Sequence, residues 1–107
     1  MEQQSVYFQQ ADARGNARRS ELEVKMDILR VTGEGHSKPT QIMYKANLSW
    51  VALLAHLKAL TTLGLLKEVD FANRRIYEVT PRGLDLLRRY QEVVSTIRDA
   101  PVERVSF

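Results

Sequence analysis

The sequence predicts a mainly α-helical fold with one small β-hairpin, an α+β domain. Three observations predict it. Four segments place apolar residues three and four apart beside helix-capping signals, the pattern of helices that bury one face. Two short segments rich in β-branched and aromatic residues flank a polar break and read as paired strands. The 107 residues, 44% hydrophobic and 27% charged, suit one small globular domain with a single core.

Residues 1–19 show no sustained period and read as a disordered tail, in which Arg14, Arg18 and Arg19 are solvated or touch phosphates. The domain spans residues 20–99. Ser20 with Glu23 three residues on forms a capping box and starts the first helix. Leu22, Met26, Leu29 and Val31 make its stripe, with Ile28 at the edge, and the glycines of "TGEGH" (32–36) end it. Pro39 opens a second helix that runs to about Lys45, because its missing N–H has no partner in a first turn anyway. Asn47 tolerates the left-handed backbone of a tight corner, and Ser49 caps the third helix, Trp50–Leu63, which Gly64 terminates. Trp50, Leu53, Leu54, Leu57 and Leu60 fall on one side and are expected to pack on the first two helices. Ala52, Ala55, Ala59 and Thr62 fall opposite, with Val51, His56 and Lys58 at the margins.

"LLKEVD" (65–70) and "RIYEVT" (75–80) are the strands, and "FANR" is the turn, with Arg74 and Arg75 at its tip or just beyond. Thr80 as cap and Pro81 at the first helical position announce the last helix, 81–99. Leu86, Tyr90, Val93 and Ile97 are spaced four, three and four, the rhythm of a short coiled-coil seam; Leu84, Leu87 and Val94 lie beside them. One stripe docks on the domain and the other on a second subunit, or both form one broad face on a single core. Residues 100–107 are a loose C-terminus. The order helix, helix-turn-helix, hairpin, helix is that of a winged helix-turn-helix.

Composition excludes several chemistries. With no cysteine there is no disulfide and no Cys-based zinc site, which favours an intracellular location. The apolar run "WVALLAHLKALTTLGLL" is broken by His56 and Lys58 and is short for a membrane span. His36 and His56 lack a companion ligand pattern, so no metal is expected, and no cofactor or small-molecule ligand is evident. No phosphate-cradling glycine loop, nucleophile elbow or carboxylate pair occurs; Glu78 and His56 are the only faint catalytic candidates, and the chain is read as a non-enzyme. Net charge is +3, yet residues 38–98 hold ten Lys or Arg against five acids, so the middle is +5 and the flanks together −2. A basic middle suits a polyanion; a solvated surface with a chance imbalance is the plainer account.

Three stretches carry a family resemblance. "IMYKANLSW" (42–50), "LKALTTLGLL" (57–66) and "YEVTPRGLDLL" (77–87) resemble the corner, the end of the recognition helix and the second wing strand of an archaeal winged-helix family. That family includes the ten-kilodalton chromatin-associated DNA-binding proteins, and the likeness covers roughly residues 20–98. The Met-Tyr-x-Ala-Asn-Leu-Ser run is the more specific part; the middle stretch is generic among winged helices. The resemblance implies a DNA-binding homodimer, regulator or chromatin component, joined by C-terminal helices as an antiparallel coiled coil. It places the protein in the cytoplasm on the nucleoid. The chain departs from the pattern in two places: Pro101 ends the last helix early, and Ala55 stands where a larger, often basic residue is expected.

The expected partner is double-stranded DNA. Ser49 with the free N–H groups behind it binds a phosphate. Lys45 and Lys58 flank the groove, while Ala52, Ala55 and Ala59 let the helix sit deep against thymine methyls. Only Ser49, His56 and Thr62 offer base-edge hydrogen bonds, so contacts are dominated by the backbone. Arg74 and Arg75 of the wing reach phosphates beside the minor groove. Trp50 reads as core or corner packing, and Tyr44 and Tyr77 as core-edge residues. The rival reading is a winged-helix protein–protein interaction module that docks a partner on the same alanine-rich face.

Overall fold

A computed structural model describes residues 19–99, so all of the expected tail (1–19) but Arg19, and the C-terminal end (100–107), lie outside the described residues. Four helices and one two-stranded antiparallel hairpin follow in the expected order.

Helix α1 (Glu21–Gly33) starts on the capping box: Ser20 Oγ accepts from the Glu23 N–H at 3.0 Å, and Glu23 Oε1 accepts from the Ser20 N–H at 2.8 Å. Glu21 and Glu23 in the first turn and Arg30 in the last complement the helix dipole. The buried arc is wider than the single stripe expected. Ile28, placed at the edge by the sequence, lies at the centre with Val24 and Val31, while Met26 and Leu29 are buried as well and Leu22 is exposed. The reason is tertiary: α1 is covered by three elements, α2, the last helix and the second strand, so no narrow stripe describes it. The buried Thr32 hydroxyl is satisfied within the helix, donating to the Ile28 and Leu29 carbonyls.

Helix α2 (Pro39–Ala46) has Pro39 in its first turn and buries Ile42 and Ala46. Asn47 takes the left-handed conformation, φ 57°, and makes the corner. Ser49 then caps α3 (Trp50–Thr62), its Oγ accepting from the Ala52 N–H at 3.1 Å. Gly64, φ 75°, closes α3: its N–H reaches the Thr61 carbonyl and the Leu65 N–H reaches the Leu60 carbonyl. The expected docking face of α3 needs correction. Leu53, Leu57 and Leu60 are buried, but Trp50, at 45% exposure, and Leu54 are not. The helix is turned so that the flank carrying His56, and not the flank carrying Trp50 and Leu54, meets α1. Tyr44, expected at the core edge, is exposed on α2, whereas Tyr77 is buried.

Strands β1 (Leu66–Phe71) and β2 (Arg74–Val79) pair from Leu66↔Val79 to Phe71↔Arg74. The turn is therefore only Ala72-Asn73, both at positive φ (51° and 64°), tighter than the four-residue turn read from the sequence. The Tyr77 N–H donates to the Ser37 carbonyl at 2.9 Å, which ties the loop after α1 to the hairpin. Thr80 joins the wing to helix α4 (Pro81–Asp99): its hydroxyl donates to the Gly64 carbonyl at 2.7 Å and accepts from the Gly83 N–H at 3.0 Å. Gly83 and Leu87 are buried, and Tyr90 packs on the same core. Beyond Tyr90 all residues but Val94 are exposed up to Asp99. Among the described residues no helix is long and apolar enough to cross a membrane.

Candidate nucleic-acid interface

From Gly35 to Lys67 the chain contains no Asp or Glu but four lysines, Lys38, Lys45, Lys58 and Lys67. This stretch includes all of α2, the corner and all of α3. It was visible in the sequence as an acid-free window, a sharper signal than the charge of the whole middle segment. Among the described residues Lys38, Lys45, Lys58 and Arg74 form no ion pair, so their charge faces solvent uncompensated.

The outward face of α3 carries Val51 (78% exposed), Leu54, Ala55, Lys58 and Thr62. Ala52 and Ala59 are half-buried on its flank. Ser49 and the first N–H groups of α3 stand at the exposed corner. Lys45 is exposed in the last turn of α2, two residues before the corner at Asn47.

His56 does not join this face. Its side chain is 11% exposed, with Nδ1 3.2 Å from Lys25 Nζ and Nε2 3.8 Å from Glu21 Oε1, both on α1. Burial and the neighbouring Lys25 charge hold its pKa below the ordinary 6.5, with Arg19 adding to the effect and Glu21 opposing it. The ring is thus neutral, accepts from the lysine, and is committed to the α1–α3 contact. The ring expected to offer a base-edge hydrogen bond thus points to α1 instead of the outward face of α3. The signal was present: positions 53, 56, 57 and 60 make a more compact stripe than 50, 53, 54, 57 and 60. Glu78 reaches Lys67 at 3.9 Å, so the two faint catalytic candidates have separate partners. Among the described residues no three His, Cys, Asp or Glu side chains are grouped to hold a metal.

Arg74 and Arg75 begin β2, immediately after the turn. Arg75 lies 3.7 Å from Glu68 Oε2, the same oxygen that accepts from the Tyr77 hydroxyl at 2.9 Å. Burial and that carboxylate raise the Tyr77 pKa above 10.0 and keep the phenol a donor. The two arginines share an open groove of about 380 Å³ with Lys38, Pro39, Thr40 and Trp50. The wing thus faces the start of α2 and the start of α3. Lys38, Thr40 and Trp50 were not among the residues expected here. A Lys-Pro-Thr run at a helix start, inside the acid-free segment, was the available cue.

The four residues expected to form a seam on α4 are divided. Tyr90 packs against the domain's own core, as Leu87 does, and Gly83 is buried beside them; Val94 is half-buried. Leu86, Val93 (56% exposed) and Ile97 (72%) remain open, with Leu84 also exposed.

A family model described as winged helix-turn-helix matches residues 18–98. An uncharacterized protein of Methanocaldococcus jannaschii is 31% identical over 84 residues, covering 78% of this chain and 82% of the relative. Sso10a-2, a DNA-binding protein from Sulfolobus solfataricus, has a similar structure with TM-score 0.63 and 33% identity, covering 76% of this chain and 83% of its own. FabT of Streptococcus pneumoniae, solved in complex with DNA, shares the fold at TM-score 0.61 and 18% identity over 94% of this chain and 76% of its own. With the family match spanning most of the chain and an archaeal DNA-binding protein among its similar structures, this chain belongs to the winged helix-turn-helix family.

Proposed function

We propose that the protein binds duplex DNA, with α3 in the major groove and the wing arginines on the adjacent backbone, and that phosphate contacts dominate. The observation that carries this reading is the shared groove: Arg74 and Arg75 open onto the same surface as the first residues of α2 and α3, and no carboxylate lines it. The likeness to Sso10a-2 at 33% identity supports it. The α3 face supplies methyl and methylene groups and few hydrogen-bonding ones, so sequence discrimination is modest. Such a protein works on the nucleoid in the cytoplasm as a regulator or chromatin component. A homodimer through Leu86, Val93 and Ile97 would present two such faces.

Titration with random-sequence duplex at several salt concentrations tests the reading. Several phosphate contacts give a log–log slope of about −4 or steeper. Replacing Arg74 and Arg75 together by Ala should weaken all duplexes alike and flatten that slope by about 2. Unchanged affinity would remove the wing from the interface. One observation favours the second reading, a protein-docking winged helix: Val51, Leu54 and Tyr44 expose apolar surface around the corner. Duplex affinity that is weak at low salt and flat with added salt would favour it.

A further inference from the structure

The groove between wing and corner combines two kinds of group that ordinary surface chemistry does not require together. Lys38, Arg74 and Arg75 supply positive charge, and Trp50 supplies a large apolar π-surface that the core does not use. Thr40 adds a hydroxyl in the first turn of α2. Lys38 and Arg74 have no ion-pair partner among the described residues, and Glu68, at 3.7 Å from Arg75, and Asp70, opposite Arg75 across the hairpin, offset the set from one side. Asp70 stands with the same arginines in the neighbouring hollow at the wing tip. Cations alone fit any anion. A half-exposed indole set among them selects an anion that carries an apolar surface beside its charge.

The geometry points to a seat for one DNA strand: the cations hold successive phosphates, and the Trp50 indole packs on the deoxyribose or base edge between them. This rests on the duplex-binding reading above and adds to it a positioning residue at the first position of α3. Trp50 would fix how α3 is aligned with the strand, while contributing no charge. Replacing a packed aromatic at a nucleic-acid surface weakens binding without altering the number of phosphates neutralised. Its signature therefore differs from that of a lysine or arginine.

Trp50 is the single tryptophan of the chain, so its emission reports this groove alone among indoles. In the free protein, iodide should quench it more than caesium does, because the surrounding cations concentrate the anion. Saturating random-sequence duplex should cut acrylamide quenching by about half, as a stacked or packed aromatic is shielded. Trp50→Ala should lose about tenfold in affinity with an unchanged salt slope, and Trp50→Phe should retain most of it. Lys38→Ala should instead reduce the slope by about 1. A duplex that shifts in a gel while Trp50 stays equally quenchable would overturn the seat and leave duplex binding intact. Absence of any shift on duplex at low salt would overturn both. If Trp50→Ala fails to fold, the protection measured on the unaltered protein and the Phe variant decides.

Discussion

Gly83 shows how one residue fixes the placement of a whole helix. A Cβ there would overlap the Leu65 carbonyl oxygen and stand 2.9 Å from Val79 Cγ2. Helix α4 can only press this closely on the wing root without a side chain. Gly83→Ala should therefore cost about 3 kcal/mol, measured by chemical denaturation, because neither contact is the free end of a long side chain. An unchanged midpoint would mean that α4 can back away freely. His56 makes a second prediction at this scale. Its folded pKa is lowered, so the unfolded chain takes up the proton first as pH falls. The His56–Lys25 contact is thus fully present above about pH 6.5 and is lost as pH falls through the folded value. The melting temperature of the native protein should drop more between pH 7 and pH 5 than that of His56→Gln; parallel curves would show that the ring does not report on folding. Caps such as Ser20, Ser49 and Thr80 were legible in the sequence because they act locally. The roles of His56 and Trp50 were not, because a few tens of degrees of helix rotation exchange a margin for a contact.

The element with most to reveal is the hairpin. Its two-residue turn puts Ala72 at φ 51°, a conformation that costs an L-residue with a Cβ roughly 1 kcal/mol. Asn73 in the next position, φ 64°, tolerates it better. Ala72→Gly should accordingly stabilise the domain by about 0.5–1 kcal/mol, seen as a higher denaturation midpoint. A lower midpoint would show that the left-handed turn is not the solution conformation. The sequence located both strands to within a residue but read the turn as longer, since "FANR" lacks the Asn-Gly or Asp-Gly signature of a tight hairpin. Helices α2, α3 and α4 were found nearly at their ends. The buried face of α1 was under-read, because a stripe calculation assumes one neighbour and α1 is packed mainly by α2, β2 and α4 together.

At the scale of the molecule, α4 is held to the domain along one side and leaves an apolar row open on the other. Leu87 and Tyr90 hold it to the domain; Leu86, Val93 and Ile97 are left in solvent, the last two beyond the domain's contacts. If the proposed homodimer forms through this stripe, Val93→Asp with Ile97→Asp should yield monomers by light scattering and leave the monomer's folding free energy within about 0.5 kcal/mol, since both are surface positions. A dimer that persists would place the contact elsewhere. The helical spacing of Leu86, Val93 and Ile97 along one exposed side of α4 was legible in the sequence. The diversion of Tyr90 to the core was not, because adjacent stripes on one helix are told apart only by what packs on them.

Arg19 donates to Asp27 Oδ2 at 2.7 Å and to the Asn47 carbonyl at 3.0 Å. A residue assigned by its sequence to a tail thus reins in the backbone between the two helices that face the groove. Shortening the chain to begin at Ser20 would leave a folded fragment in which the α2–α3 corner pivots more freely. If that corner grips duplex as proposed, affinity would fall through added motion while the melting curve barely moved.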